Sequence, residues 1–95
     1  MKYNLKHLID SALEVAKTEG YTRMTREQIA TQAGCSTGIV SKYLGTMPAM
    51  RRTIMRAAVH GGVHAVIVQG LAVRDPHALA ASDTDKRQAW KGVMQ

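Results

Sequence analysis

At 95 residues, 45% hydrophobic and 21% charged, the chain has the composition of one globular domain, or a domain plus a tail, which excludes a wholly disordered segment; a large multidomain enzyme is not expected. Its formal net charge of +6 points toward nucleic acid or another anionic surface. The surplus is local: residues 21–56 hold Arg23, Arg26, Lys42, Arg51, Arg52 and Arg56 against the single acid Glu27, whereas residues 61–95 hold four bases and three acids.

The lone cysteine, Cys35, excludes an intramolecular disulfide and a cysteine-clustered zinc site. Asp10 and Glu14 interrupt the N-terminal apolar residues, which is not the pattern of a signal peptide. The most apolar stretch, 63–73, is too short to span a bilayer and contains His64 and Gln69. A cytoplasmic protein without a membrane partner is the expectation.

Asn4 is placed to cap a first helix with apolar residues at Leu5, Leu8, Ile9, Ala12, Leu13 and Ala16, a helical period that Gly20 is placed to end. After a short connection, Thr25-Arg26-Glu27-Gln28 has the form of a capping box opening a second helix over 26–32. Gly34 stops that helix, Ser36 caps a third through Leu44, and Gly45 closes it. Thr46 or Met47, with Pro48 in the first turn, opens a longer helix through Met50, Ile54, Ala57 and Ala58. A kink or break is expected at Gly61-Gly62. The β-branched run 63–73 is read as helix in an otherwise helical chain, and Asp75-Pro76 as a further cap and first turn. From Ser82 onward a polar, partly disordered tail is expected.

Residues 26–45 fit a helix-turn-helix window of twenty positions. The fifth position, where the two helices cross closely, needs a small residue and holds Ala30. The ninth needs a glycine to turn through a left-handed conformation and holds Gly34. The apolar positions that seal both helices to the body hold Ile29, Ala33, Cys35, Val40 and Tyr43.

On these residues the sequence resembles the DNA-binding domain of TetR-family transcriptional repressors. The resemblance covers residues 8–50: an apolar first helix ending in Gly20-Tyr21, then Met24-Thr25, Ile29-Ala30, and Ala33-Gly34-Cys35-Ser36-Thr37-Gly38. Ser41 stands where the family usually has tyrosine and Met47 where it has lysine; Lys42, Arg51 and Arg52 are the nearby cations that would substitute. The family continues for a long ligand-binding and dimerising domain. With about thirty-five residues after His60, the expectation is a small phage- or plasmid-type regulator without a small-molecule inducer pocket.

The resulting expectation is an all-α helical bundle with a TetR- or homeodomain-like helix-turn-helix. Residues 1–60 form the DNA-binding domain, 61–82 a helical dimerisation segment and 83–95 a polar tail. Candidate DNA contacts are Thr25, Ser36, Thr37, Gly38, Ser41, Lys42, Tyr43, Arg51 and Arg52. The third helix would enter the major groove, with Gly38 allowing close approach and Tyr43 a core residue whose hydroxyl reaches the backbone. Its short hydroxyls and single lysine imply modest base readout and an affinity carried largely by phosphate.

A homodimer on a palindromic operator, more as repressor than activator, is expected, because one recognition helix covers only a few base pairs. Val63, Val66, Ile67 and Leu71 are assigned to its interface, as an apolar stripe that so small a monomer leaves uncovered. The alternative is a helical interaction module that docks a host or regulatory protein on the stripe over residues 62–73. His60 and His64 have metal-ligand spacing but no third ligand, and no acid pair or nucleophile–base arrangement supports catalysis; no cofactor is expected.

Overall fold

The computed structural model describes residues 4–93. Within them the chain forms α1 (Leu5–Glu19), α2 (Arg26–Ala33), α3 (Thr37–Leu44), α4 (Met47–Gly61), α5 (His64–Ala72), α6 (Pro76–Leu79) and α7 (Asp83–Val93), with no strand among the described residues. The all-α bundle with a helix-turn-helix is therefore observed.

Each of the first four helices begins with a side-chain cap of the kind the sequence announces. Asn4 Oδ1 accepts the His7 amide at 2.8 Å, and Ser36 and Thr46 accept the amides of Ile39 and Ala49, each at 3.3 Å. At α2 the capping box is complete: the Gln28 amide donates to Thr25 Oγ1 at 3.2 Å, and the Thr25 amide donates to Gln28 Oε1 at 2.9 Å. Leu8, Ala12, Val15 and Ala16 of α1 then face Ile29, Ala30 and Ala33 of α2, Val40 and Leu44 of α3, and Met50, Ile54, Met55 and Ala58 of α4 in one core. The methionines fill it without exposed surface.

Three helices end in the same motif. Gly34 closes α2 at φ 75°, with the Gly34 amide donating to Thr31 and the Cys35 amide to Ala30; Gly62 closes α4 at φ 65° with the equivalent bonds to Val59 and Ala58. The Gly61-Gly62 pair thus ends the helix and does not kink it. At α5 the Arg74 amide donates to Leu71 and the Asp75 amide to Gly70, but the left-handed residue is Arg74, at φ 59°. A side chain in that conformation costs about 1 kcal/mol relative to glycine.

The C-terminal third departs from expectation. Residues 83–93 of the expected polar tail form α7, which lies along α5; the last two tail residues fall outside the described residues. Ser82 starts the helix by accepting the Asp85 amide at 3.1 Å and donating to the Asp85 carboxylate at 3.1 Å. With α1, α4 and α6 on its other sides, α5 is enclosed, and Val66 and Ile67 have no exposed surface while Leu71 keeps 8%. Val63 is half-buried against the same core. The stripe assigned to a dimer interface is therefore interior packing of a single chain. Burial of each large side chain there stabilises the monomer by roughly 1.5–3 kcal/mol, which unpacking toward a partner would forfeit.

Two residues of α5 fix this second layer on the first. Gln69 donates from Nε2 to the Ala16 carbonyl at 3.0 Å and to its own helix at Ala65, at 3.1 Å, while its Oε1 accepts the Tyr21 amide. Gly70 is buried where α4 and α6 press closest: a Cβ there would lie 2.7 Å from Ala78 Cβ and 2.5 Å from Met55 Cε.

Candidate nucleic-acid interface

The helix-turn-helix is held together by three kinds of contact. Apolar burial fixes the crossing, with Ile29 and Val40 fully covered and Ala30 and Ala33 nearly so. Gly34 makes the turn, and Cys35, half-buried, packs on the core beside it. Polar ties then lock the ends: the His7 imidazole Nε2 lies 2.9 Å from the Ala33 carbonyl, and Arg26 Nη2 donates to the Gly45 carbonyl at 3.5 Å.

On this frame α3 buries Val40 and Leu44, four residues apart, and turns Thr37, Gly38, Ser41, Lys42 and Tyr43 outward. Tyr43 corrects the expectation of a core residue: it keeps 37% of its surface exposed, and Leu44 seals the helix in its place. One position of 100° rotation decides which of the two residues faces inward. Lys42 Nζ sits 5.9 Å from the centre of the Tyr43 ring, so the ammonium and the ring form one cationic, partly apolar surface.

Around α3 stand groups suited to phosphate. Thr25, Ser36 and Thr46 are exposed, and each uses its hydroxyl oxygen as acceptor for its own helix, which leaves the hydroxyl proton to be donated outward. Arg52 is exposed and Arg51 half-buried on the N-terminal half of α4. A Cβ on Gly38 would meet only Ser36 Oγ, at 3.7 Å, so the protein's own packing does not require glycine at that point of the surface.

Tyr21 joins the connection after α1 to α4 and α6. Its hydroxyl lies 3.0 Å from the Arg51 carbonyl and 3.1 Å from Asp75 Oδ2, with both oxygens as acceptors. Burial first, and the neighbouring Asp75 carboxylate second, push the Tyr21 hydroxyl far above its usual range, so it stays a donor. The linking roles of Tyr21, Gln69 and His7 were not visible in the sequence; all three depend on pairings across 26 to 54 residues. Nothing in the sequence marks Arg74 as the left-handed residue that ends α5. No group of metal ligands occurs among the described residues, and no described helix is long and apolar enough to cross a membrane.

Comparison with known proteins points the same way as the geometry. The chain is similar to the HTH-type transcriptional regulator BetI of Escherichia coli O127:H6, with 36% identity over 97 residues that cover 95% of this chain and 49% of the relative. The regulator of the same name from Escherichia coli strain K12 is 35% identical over the same span. The chain spans about half the length of the curated relatives it matches. No family model and no solved structure matches it. The expectation of a phage- or plasmid-type origin finds no support in these relatives.

Proposed function

We propose that the protein is a sequence-specific regulator of transcription of the TetR type that binds double-stranded DNA by placing α3 in the major groove. The observation that carries this reading is the outer face of α3, where Thr37, Gly38, Ser41, Lys42 and Tyr43 lie together on a helix fixed by a helix-turn-helix crossing and flanked by hydroxyl-capped helix ends. Similarity to regulators named for the same motif supports it. Thr37, Ser41, Lys42 and Tyr43 read base edges or adjoining sugar, while Thr25, Ser36, Arg51 and Arg52 hold phosphates. An eight-residue helix spans only a few base pairs, so two copies on a two-fold operator supply the discrimination that one lacks. Repression by occupancy of a promoter is the simplest outcome of such binding.

Selection of bound duplexes from a random pool, followed by sequencing at two salt concentrations, tests this. Enrichment of an inverted repeat whose binding persists at the higher salt is the expected result. Binding that enriches nothing and collapses with salt contradicts sequence-specific recognition and leaves only a basic surface.

A further inference from the structure

A groove of about 540 Å³ lies between the α1–α2 connection, the start of α4 and the α5–α6 turn, lined by Tyr21, Thr22, Pro48, Arg51, Arg52, Val73, Arg74, Asp75 and Pro76. Three of these are arginines from two separate parts of the chain, and none of the three forms an ion pair among the described residues. The one acid of the lining, Asp75, forms no ion pair with them, so three guanidinium charges face a single carboxylate. Asp75 Oδ1 accepts the His77 and Ala78 amides at the start of α6, and Oδ2 accepts from Tyr21. Arg51 Nε is buried without a hydrogen-bond partner, a donor desolvated and left unsatisfied beside the groove. Arg74 is the sole described non-glycine residue with positive φ, at a helix end of the kind that Gly34 and Gly62 close elsewhere. An arginine is thus held where the backbone prefers glycine, and it lines the groove.

We infer that this groove is a phosphate-binding subsite in which Arg74, together with Arg51 and Arg52, holds a backbone phosphate of the duplex flanking the bases under α3. The inference rests on the DNA-binding reading above and extends the footprint to a residue outside the helix-turn-helix. The position favours a duplex phosphate over a free anion. Thr22 lies three residues before the Thr25 cap and Pro48 two after the Thr46 cap, so the groove continues the phosphate-suited edge of the reading face. Guanidinium groups also match phosphate oxygens through paired N–H donors.

Arg74→Gly tests this cleanly, because glycine suits the left-handed backbone and the fold is retained or strengthened. On a mixed-sequence duplex, affinity should fall roughly five- to tenfold near 0.1 M salt, and the slope of log K against log salt should shrink by about one. Arg74→Lys, which keeps the charge, should restore most of the slope. An Arg74→Gly protein with unchanged slope and affinity overturns the subsite while leaving DNA binding through α3 intact. Failure of the unmodified protein to bind any duplex overturns both. If millimolar inorganic phosphate protects the unmodified protein against thermal unfolding but not Arg74→Gly, while the two bind duplex alike, the groove takes a free anion and the duplex assignment is wrong.

Discussion

Gly38 separates the demands of folding from those of binding. It is the second residue of α3, exposed, with helical backbone, and a Cβ there would touch nothing closer than Ser36 Oγ at 3.7 Å. Nothing in the protein therefore opposes alanine. Removing glycine's extra freedom in the unfolded chain should stabilise the fold by about 0.5–1 kcal/mol, which for a domain of this size raises Tm by a few degrees. On DNA the opposite is expected. A helix with its side chains is roughly 10–12 Å across and the major groove roughly 12 Å wide, so a face brought against base edges has no room to spare. Gly38→Ala should weaken binding to an enriched duplex at least tenfold, about 1.4 kcal/mol, even as the protein becomes more stable. Thermal unfolding followed by circular dichroism, beside fluorescence anisotropy on the duplex, reads both quantities. A stabilised variant that binds as tightly as the unmodified protein refutes close approach of α3 at this point.

Three further outcomes follow from the packing and electrostatics. Gln69→Leu removes the acceptor for the Tyr21 amide and the donor to the Ala16 carbonyl, and should cost about 1–3 kcal/mol, seen as a lower urea midpoint at unchanged slope; an unaltered midpoint would mean that α5 is not fastened through this amide. Gly70→Ala places a Cβ 2.7 Å from Ala78 Cβ and should destabilise by roughly 1–3 kcal/mol, in contrast to the gain at Gly38, with a Tm at or above that of the unmodified protein counting against the close α5–α6 contact. Hydrogen bonds from His64 and then Ser82 hold the Asp85 carboxyl below its ordinary value of 3.8. A lowered folded value means that this contribution is present above the unfolded value and lost as pH falls through the folded one. Stability should accordingly decline more steeply below about pH 4 in the unmodified protein than in Asp85→Asn, and parallel curves would contradict the pairing of α7 with α5.

The helix-turn-helix was legible because its determinants are local. Caps at Asn4, Thr25, Ser36 and Thr46, the left-handed Gly34 and the small Ala30 are each set by a few adjacent residues, and the apolar period of α1 needs no knowledge of what it packs on. Tyr43 and Leu44 show the limit of that reasoning. Adjacent apolar residues on a two-turn helix can exchange places with a small rotation, and the neighbouring core decides which is buried. The second layer is not legible in the sequence because the cover for α5 comes from a segment of low apolar content. Within α7, Ala89 is buried, whereas Asp83, Arg87 and Lys91 lie on the surface, so its composition resembles a tail. The Ser82-x-x-Asp85 spacing was the one local sign of a helix start there. Once α7 is in place, the apolar stripe of α5 loses its availability to a partner.

The proposed function requires α3 and the capped helix ends beside it to meet duplex DNA. The most direct test is titration of an enriched duplex into nitrogen-15-labelled protein, followed through backbone amide shifts. The largest changes are expected at Ser36, Thr37, Gly38, Ser41 and Lys42 and at the caps Thr25 and Thr46, with α7 unmoved. Shifts confined to α7 and the exposed face of α6, with α3 silent, would contradict the account.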